Sequence, residues 1–436
     1  MAGIALPKAE FAGTGATEQP LKLRRFLRLT GHYSLSALGP VAVSGAHFVA
    51  SLVFLRNFAP ADFGLFSFLL VVVPFCMSAS GALLGAPLIM SIGKPQAVAQ
   101  AEFETYRKVN LAFSIFAGIA VAALLALSGA ARLPSLLLGF YGAVMTLRWF
   151  ARSYVYVKAQ RVRAVASDLI YSGLLVAGLC ALMYAHALNV PRVAAMLLGA
   201  SVLSLLAFGW RYLREQFRLK AAGSLAAYRV TWHELSRWSL LGVVLTEMTA
   251  NAHAYFVTFI SGPQAFALLA LGGLLMRPVS LVLSALPDME RPIMARRLAE
   301  GDAAGAWRSV NEFRTATAAV WLATIALAAG LLLWFPHLLL KKGYDGDQVL
   351  VVVALWAVIA AVRALRTPDA VFLMAAGQYE PLARVGMKSS VTSLAVTLLL
   401  LLWLGPIASL GGILAGDLII TVLIFSLTRA WRRAHG

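Results

Sequence analysis

The sequence predicts an all-α, polytopic membrane protein with twelve transmembrane helices in two parallel six-helix lobes around a central cavity. Of the 436 residues, 60% are hydrophobic and only 13% are charged, whereas soluble domains are about 45 to 50% apolar. The apolar residues fall in runs of about 20, the length that crosses a hydrocarbon core of about 30 Å. The Lys and Arg residues lie mostly between these runs, as they do in the cytoplasmic loops of membrane proteins.

Twelve apolar runs define the expected helices, six on each side of a polar break. They lie at residues 33–55, 63–90, 109–128, 134–153, 168–187, 191–210, 238–260, 264–287, 315–339, 349–366, 386–404 and 410–428. This division predicts five parts: a cytoplasmic tail with a basic juxtamembrane segment (1–30), an N-lobe (31–210), a cytoplasmic amphipathic linker (211–237), a C-lobe (238–428) and a basic cytoplasmic tail (429–436).

The basic residues also orient the chain. With the N-terminus inside, 27 of the 37 Lys and Arg residues lie in inner segments and 5 in outer ones. Because cytoplasmic loops carry the excess of positive charge, this bias predicts that both termini are cytoplasmic. The outer loops are all short, so they leave no room for a catalytic domain, and we do not expect an enzyme.

Several other classes of function are excluded. The basic residues form no single stripe or arm of the kind that binds nucleic acid. Cys76 and Cys180 both lie inside apolar segments, which excludes a disulfide framework and a cysteine metal site. The chain has no Gly-rich phosphate loop followed by Lys-Ser/Thr and no HExxH motif. We therefore expect no catalytic residues, no metal and no cofactor, apart from a coupling H⁺ or Na⁺.

The two halves of the sequence resemble each other. Each half has a turn proline with phenylalanine three residues later, a second proline in mid-helix, and an arginine twelve residues before a glutamine. The matching pairs are Pro60 and Pro263, Phe63 and Phe266, Pro74 and Pro278, Arg148 and Arg366, and Gln160 and Gln378. An offset of about 200 residues that spans six helices predicts parallel repeats, related by an axis along the membrane normal.

Arg277 stands in the eighth apolar run, directly before Pro278, which is expected to kink the helix. A charge at the bilayer centre costs at least about 2.5 to 3.5 kcal/mol, so it should face a cavity or a partner. At 100° per residue, one side of this helix carries Arg277 with small and polar residues: Gly273, Ser280, Ser284 and Asp288. Glu247 lies at a similar depth in the seventh helix, so an ion pair with Arg277 is the alternative to a ligand contact.

These features together resemble one family. The stretch "RNFAPADFGLFSFLL" follows the first helix, "RPVSLVLSALPDMERPIMARRLAEGD" follows the start of the eighth, and the helices divide 6+6. From about residue 25 the chain is similar to the Wzx-type polysaccharide transporters. These are lipid-linked oligosaccharide flippases of the multidrug/oligosaccharidyl-lipid/polysaccharide exporter superfamily, which also holds the MurJ and MATE proteins.

The resemblance implies a flippase of the bacterial inner membrane. Its substrate would be a polyprenyl-diphosphate-linked oligosaccharide for exopolysaccharide or O-antigen assembly, moved from the inner to the outer leaflet by alternating access. Other polysaccharide assembly proteins would be its partners. The resemblance also implies that helices one, two, seven and eight line the central cavity between the lobes.

For such a substrate, Arg277 is the first candidate for the diphosphate contact, because guanidinium is a permanently charged, planar fork of donors. Arg148 and Arg152, one helical turn apart, are the next candidates. Polar faces of the four cavity helices predict the lining residues Ser44, His47, Ser51, Ser78, Asn251, Ser280 and Ser284. Glu247 and Asp417 are the intramembrane acids that could couple transport to protons or sodium.

Two other functions are weighed against the flippase. A MATE-like, ion-coupled drug exporter would need an acidic cavity, whereas the charges within the predicted helices are mostly arginines. A membrane glycosyltransferase or polymerase would need larger outer loops to hold its donor and acceptor.

Because one chain contains both six-helix lobes, we expect it to work as a monomer.

Overall fold

A computed structural model describes residues 18–91, 95–217, 225–335 and 344–435. Within these ranges the chain is helical and contains no strand, which confirms the predicted all-α class. The predicted tail before residue 18 and linker residues 218–224 lie outside the described ranges. The helices are α1 (Glu18–Asn57), α2 (Pro60–Ser80), α3 (Ala86–Met90), α4 (Gln96–Leu127), α5 (Arg132–Val157), α6 (Arg161–Tyr184), α7 (Val190–Leu205), α8 (Trp210–Gln216), α9 (Leu225–Thr231), α10 (Arg237–Ile260), α11 (Pro263–Leu275), α12 (Arg277–Ala299), α13 (Ala303–Trp334), α14 (Gly346–Ala375), α15 (Tyr379–Leu404) and α16 (Leu410–His435).

The chain is a multi-pass membrane protein. Among the described residues, ten helices are long and apolar enough to cross a membrane, and the bent pair α11 and α12 makes an eleventh if it forms one span. The predicted seventh span, α10, has 24 residues but is not among these ten. Its length suffices, at about 1.5 Å per residue, so its polar residues, including Glu247 and Asn251, account for its lower hydropathy.

The two glutamines of the predicted repeat, Gln160 and Gln378, follow turns of the same kind, and the repeat itself stays a prediction. The amides of Gln160 and Gln378, at the starts of α6 and α15, each donate to the carbonyl five residues earlier, at 2.8 and 2.9 Å. The residue before each glutamine is left-handed, with φ of 57° at Ala159 and 75° at Gly377. The same turn also ends other helices, at Gly129, His186 and Gly301, so it does not by itself distinguish a repeat.

The second proline of each repeat acts differently in the two halves. Pro74 lies inside α2, which continues to Ser80. Pro278 lies in the first turn of α12, after a 58° bend between α11 and α12. Proline is well tolerated there, because a first turn leaves its N–H groups unpaired anyway. The predicted kink is therefore a helix break, and Arg277 is the first residue of a new helix.

The lobes meet along α2, which packs against α10 and α11. A Cβ atom at Gly64 would lie 1.8 Å from the carbonyl oxygen of Pro263, so no larger residue fits at this crossing. Nearby, the fully buried ring of Phe68 lies 5.5 Å from that of Tyr255 and 5.8 Å from that of Phe259, both edge-on. Because α2 and α11 both begin here, this contact closes the predicted outer end of the lobe interface.

A second contact joins the halves towards the predicted inner end. The π-helical turn Gly81–Gly85 follows α2, and the carbonyl of Leu83 in it accepts hydrogen bonds from outside. Tyr228 of α9 donates at 2.8 Å and Ser236 donates at 2.9 Å. The segment between the lobes is thus anchored to the end of α2.

Candidate functional site: the central cavity

A cavity of about 350 Å³ lies where α1, α10, α11, α12 and α14 meet. Its volume is in the lower part of the range of ligand sites, about 300 to 1,000 Å³. The polar residues that line this central cavity are Ser44, Asn251, Arg277, Ser280, Ser284 and Arg363. No acidic residue is among the described residues of the lining. Four of the predicted lining residues, Ser44, Asn251, Ser280 and Ser284, are therefore found together.

Gly272 allows α11 to pack closely against α14 at one wall of the central cavity. A Cβ atom at Gly272 would lie 2.6 Å from Cδ1 of Trp356 on α14. The Trp356 indole in turn donates to the carbonyl of Leu269 at 2.9 Å, which fixes its ring against α11. This packing holds the end of α11, and so the bend that precedes Arg277, against the neighbouring helix.

Arg277 extends from the break between α11 and α12 into the central cavity. One of its terminal nitrogens, Nη2, lies 3.4 Å from Oγ of Ser44 on α1, so it reaches from the second half of the chain to the first. The side chain is half-buried. It forms no ion pair with any side chain that the structure describes.

Arg148 and Arg152, the other predicted diphosphate contacts, lie elsewhere, inside the first lobe. Nη2 of Arg148 is 2.5 Å from one oxygen of Asp168, and Nη1 of Arg152 is 3.0 Å from the other. Both arginines are thus bound to a buried carboxylate and lie outside the central cavity. Hydropathy places Asp168 at a helix start, because the fifth apolar run begins there, whereas α6 begins at Arg161 and places Asp168 two turns inside.

Asp417, one of the predicted coupling acids, is 1% exposed and has two arginine partners. Its oxygens accept from Arg363 and Arg366, both at 2.7 Å. Arg363 also lines the central cavity, with 26% of its side chain exposed. The pairing could have been predicted, since Arg363 and Arg366 share one helix turn and need an acid nearby.

His47, Ser51 and Ser78 were expected to line the central cavity and do not. His47 is 8% exposed, and its Nε2 lies 2.7 Å from the hydroxyl of Tyr171 on α6. Ser51 is buried and donates to the carbonyl of His47 at 2.8 Å. Ser78 is exposed on α2, outside the lining. Of the predicted lining residues on α1, His47 therefore packs against α6, Ser51 bonds within its own helix, and Ser44 lies in the cavity lining.

Glu247 is held by its own helix. Its two oxygens accept from the amide of Asn251 and the hydroxyl of Tyr255, both at 3.1 Å. The alternative ion pair between Glu247 and Arg277 is therefore not formed. Coupling roles for Glu247 and Asp417 stay predictions.

Among the described residues, no group of three or more His, Cys, Asp or Glu side chains could hold a metal ion.

Comparison with solved structures identifies the fold of the chain. No protein-family model and no curated sequence matches the chain, but solved structures do. The lipid II flippase MurJ in an inward closed conformation superposes with a TM-score of 0.68 over 90% of this chain and 87% of its own, at 11% identity. An inward-facing multidrug resistance MATE family transporter of the MOP superfamily gives 0.63 over 92% and 98%, at 14% identity.

An outward-facing MATE family transporter of the same superfamily gives a TM-score of 0.57 over 92% of this chain and 95% of its own, at 13% identity. The chain therefore has the fold that MATE transporters and MurJ share, as the sequence predicted. Structural similarity at sequence identities this low shows a shared fold but does not show a shared substrate. Membership of the Wzx-type flippases stays a prediction.

Proposed function

We propose that the protein is a flippase for a polyprenyl-diphosphate-linked oligosaccharide. It moves this lipid from the inner to the outer leaflet of the bacterial inner membrane by alternating access, for exopolysaccharide or O-antigen assembly. The observation that carries the proposal is Arg277. Apart from Arg192, at the start of its run, the apolar runs hold five arginines. Arg148, Arg152, Arg363 and Arg366 are bound to aspartates, and Arg277 has no described acidic partner.

The chemistry of the central cavity supports an anionic substrate. A guanidinium within an apolar bundle is costly unless it faces a partner, a water-filled cavity or a ligand, and a diphosphate offers the oxygens that its planar fork binds. Arg363 adds a second guanidinium to the lining, partly neutralised by Asp417. A positively charged, low-dielectric cavity concentrates anions and repels cations, which disfavours the MATE-like drug exporter.

Arg277 also offers a link between binding and movement. Its contact with Ser44 spans the two lobes, so a diphosphate that takes its donors weakens a contact between them. A ligand shifts a conformational equilibrium only through such differential interactions. Outward opening then requires α2 and α11 to separate at Gly64 and Pro263. Both termini would be cytoplasmic, the monomer would suffice, and Glu247 or Asp417 would couple the cycle to H⁺ or Na⁺.

The proposal is tested in cells by deleting the gene and restoring it as variants. We expect lipid-linked oligosaccharide to accumulate on the cytoplasmic face in the deletion strain and with Arg277→Ala at normal protein abundance. Arg277→Lys should rescue only partly, because the fork of donors is lost. Arg192→Ala, which removes an exposed arginine that is not part of the cavity lining, should restore transport fully.

Two outcomes would contradict the proposal. One is full transport by Arg277→Ala at normal abundance. The other is a change in drug sensitivity without any accumulation of lipid-linked oligosaccharide, which would favour the exporter.

A further inference from the structure

A second cavity lies at the predicted inner end of the C-lobe, apart from the central cavity. It has a volume of about 590 Å³ and is formed by the start of α13 and the end of α16. Its lining combines aromatic rings with three arginines: Trp307, Phe372, Trp431, Arg429, Arg432 and Arg433. We call it the basic-aromatic groove. It shares no residue with the central cavity.

The floor of the groove is a fixed set of rings. The Phe372 ring, 1% exposed, meets Trp307 edge-on at 5.7 Å between centroids and Trp431 edge-on at 4.9 Å. Such edge-to-face contacts between large rings hold one geometry. The guanidinium of Arg432 lies 4.3 Å above the centre of the Trp307 ring, so a cation–π contact positions it at the groove.

No described side chain balances the charge of the groove. Arg429, Arg432 and Arg433 are exposed, and none forms an ion pair with a side chain that the structure describes. No acidic residue is among the described residues of its lining. Three permanent positive charges around a preformed concave surface are suited to a phosphate group.

Position in the membrane indicates where the phosphate comes from. The groove joins the ends of two helices that could span a membrane, Ala303–Trp334 and Ile407–Ala434, which places it at headgroup level. Tryptophan is enriched at that level. On α16, the exposed side chains of Leu418 and Val422 continue the face of Arg429 towards the membrane interior, where an acyl chain would lie.

We propose that the basic-aromatic groove binds the headgroup of an anionic phospholipid of the inner leaflet. The arginines contact the phosphate, the tryptophans lie beside the glycerol region, and the exposed apolar face of α16 carries an acyl chain. Basic pockets between membrane helices on the cytoplasmic side are typical headgroup sites. The site does not depend on the transported substrate and goes beyond the proposed flippase function.

The test uses the purified full chain in neutral detergent, titrated with short-chain phosphatidylglycerol while its thermal unfolding midpoint is followed. We expect saturable stabilisation by phosphatidylglycerol and none by phosphatidylcholine of the same chain length. The variant Arg429→Gln/Arg432→Gln/Arg433→Gln should bind about 100-fold more weakly. The matched control Arg211→Gln/Arg214→Gln/Arg384→Gln removes three exposed arginines elsewhere at the same predicted end and should bind as the wild type does.

Several results would overturn the proposal. Equal loss in the control variant would mean general charge attraction. Equal stabilisation by inorganic phosphate would mean a soluble-anion site, and preference for a polyprenyl diphosphate would mean a substrate site. If the triple variant does not fold, the single variant Arg432→Gln decides: unchanged affinity rejects the site. Transport activity is not measured, so failure here is distinct from failure of the flippase.

Discussion

Among single residues, Gly39 shows how closely the buried ion cluster of the first lobe is packed. A Cβ atom at Gly39 would lie 2.2 Å from Oδ2 of Asp168. The carboxylate can therefore occupy its place between Arg148 and Arg152 only because α1 has no side chain there. Gly45, on the same helix, has open space around its Cβ position.

We predict that Gly39→Ala destabilises the protein by up to about 3 kcal/mol, because displacing Asp168 leaves the buried Arg148 and the half-buried Arg152 without their acid. Gly45→Ala should be neutral or stabilising by about 0.5 to 1 kcal/mol, since alanine suits a helix better than glycine. Chemical unfolding in detergent measures both. Equal stability of the two variants would show that Asp168 is not held by this contact.

What the sequence could predict about single residues depends on whether their partners are local. The polar face of Arg277, Ser280 and Ser284 follows from helical spacing, and the structure places it at the central cavity. The partner of Arg148 comes from a neighbouring helix. Spacing within one helix carries no information about which neighbour supplies a carboxylate.

At the scale of elements, α2 and α11 form the closed end of the lobe interface. Their crossing admits only glycine at position 64, since the atom opposite is a backbone oxygen of Pro263 that cannot move aside. Cys76 lies about three turns further along α2 and is 8% exposed. Its accessibility therefore reports whether α2 stays packed.

We predict that Gly64→Ala forces α2 away from α11 and speeds maleimide labelling of Cys76 several-fold. The measurement uses a Cys180→Ser background, because Cys180 is exposed. Gly173→Ala, a helical position with open space around it, is the control and should leave the labelling rate unchanged. An unchanged labelling rate in Gly64→Ala would mean that the crossing of α2 and α11 accommodates a methyl group without moving α2.

Helix ends were not predictable from apolar runs alone: α4 begins at Gln96 and α13 at Ala303, whereas their runs begin at 109 and 315. The membrane-spanning segments themselves were predictable, because a helix in lipid must pair its backbone internally and span the hydrocarbon. The functions of the two repeat prolines were not. Pro74 and Pro278 occupy matching sequence positions, yet only Pro278 follows a break. In the structure, the end of α11 before this break packs against Trp356 of α14, and the sequence of one helix does not reveal such a contact.

For the whole molecule, composition and hydropathy suffice to predict an all-α, multi-pass membrane bundle, and the fold shared with MurJ and MATE structures confirms it. The arrangement of the lobes was beyond the sequence, because it depends on contacts such as Gly64 with Pro263 and Tyr228 with Leu83. These contacts bracket a central cavity whose described charges are arginines. A binding site for a diphosphate between two moving lobes is the central claim.

Reconstitution tests that claim most directly. The full chain is placed in vesicles that contain a labelled polyprenyl-diphosphate oligosaccharide in one leaflet, and its appearance in the other leaflet is followed. We predict transfer by the wild type and by Arg192→Ala, and none by Arg277→Ala reconstituted in equal amount. Transfer by Arg277→Ala at the wild-type rate, or by the wild type no faster than in empty vesicles, would contradict it.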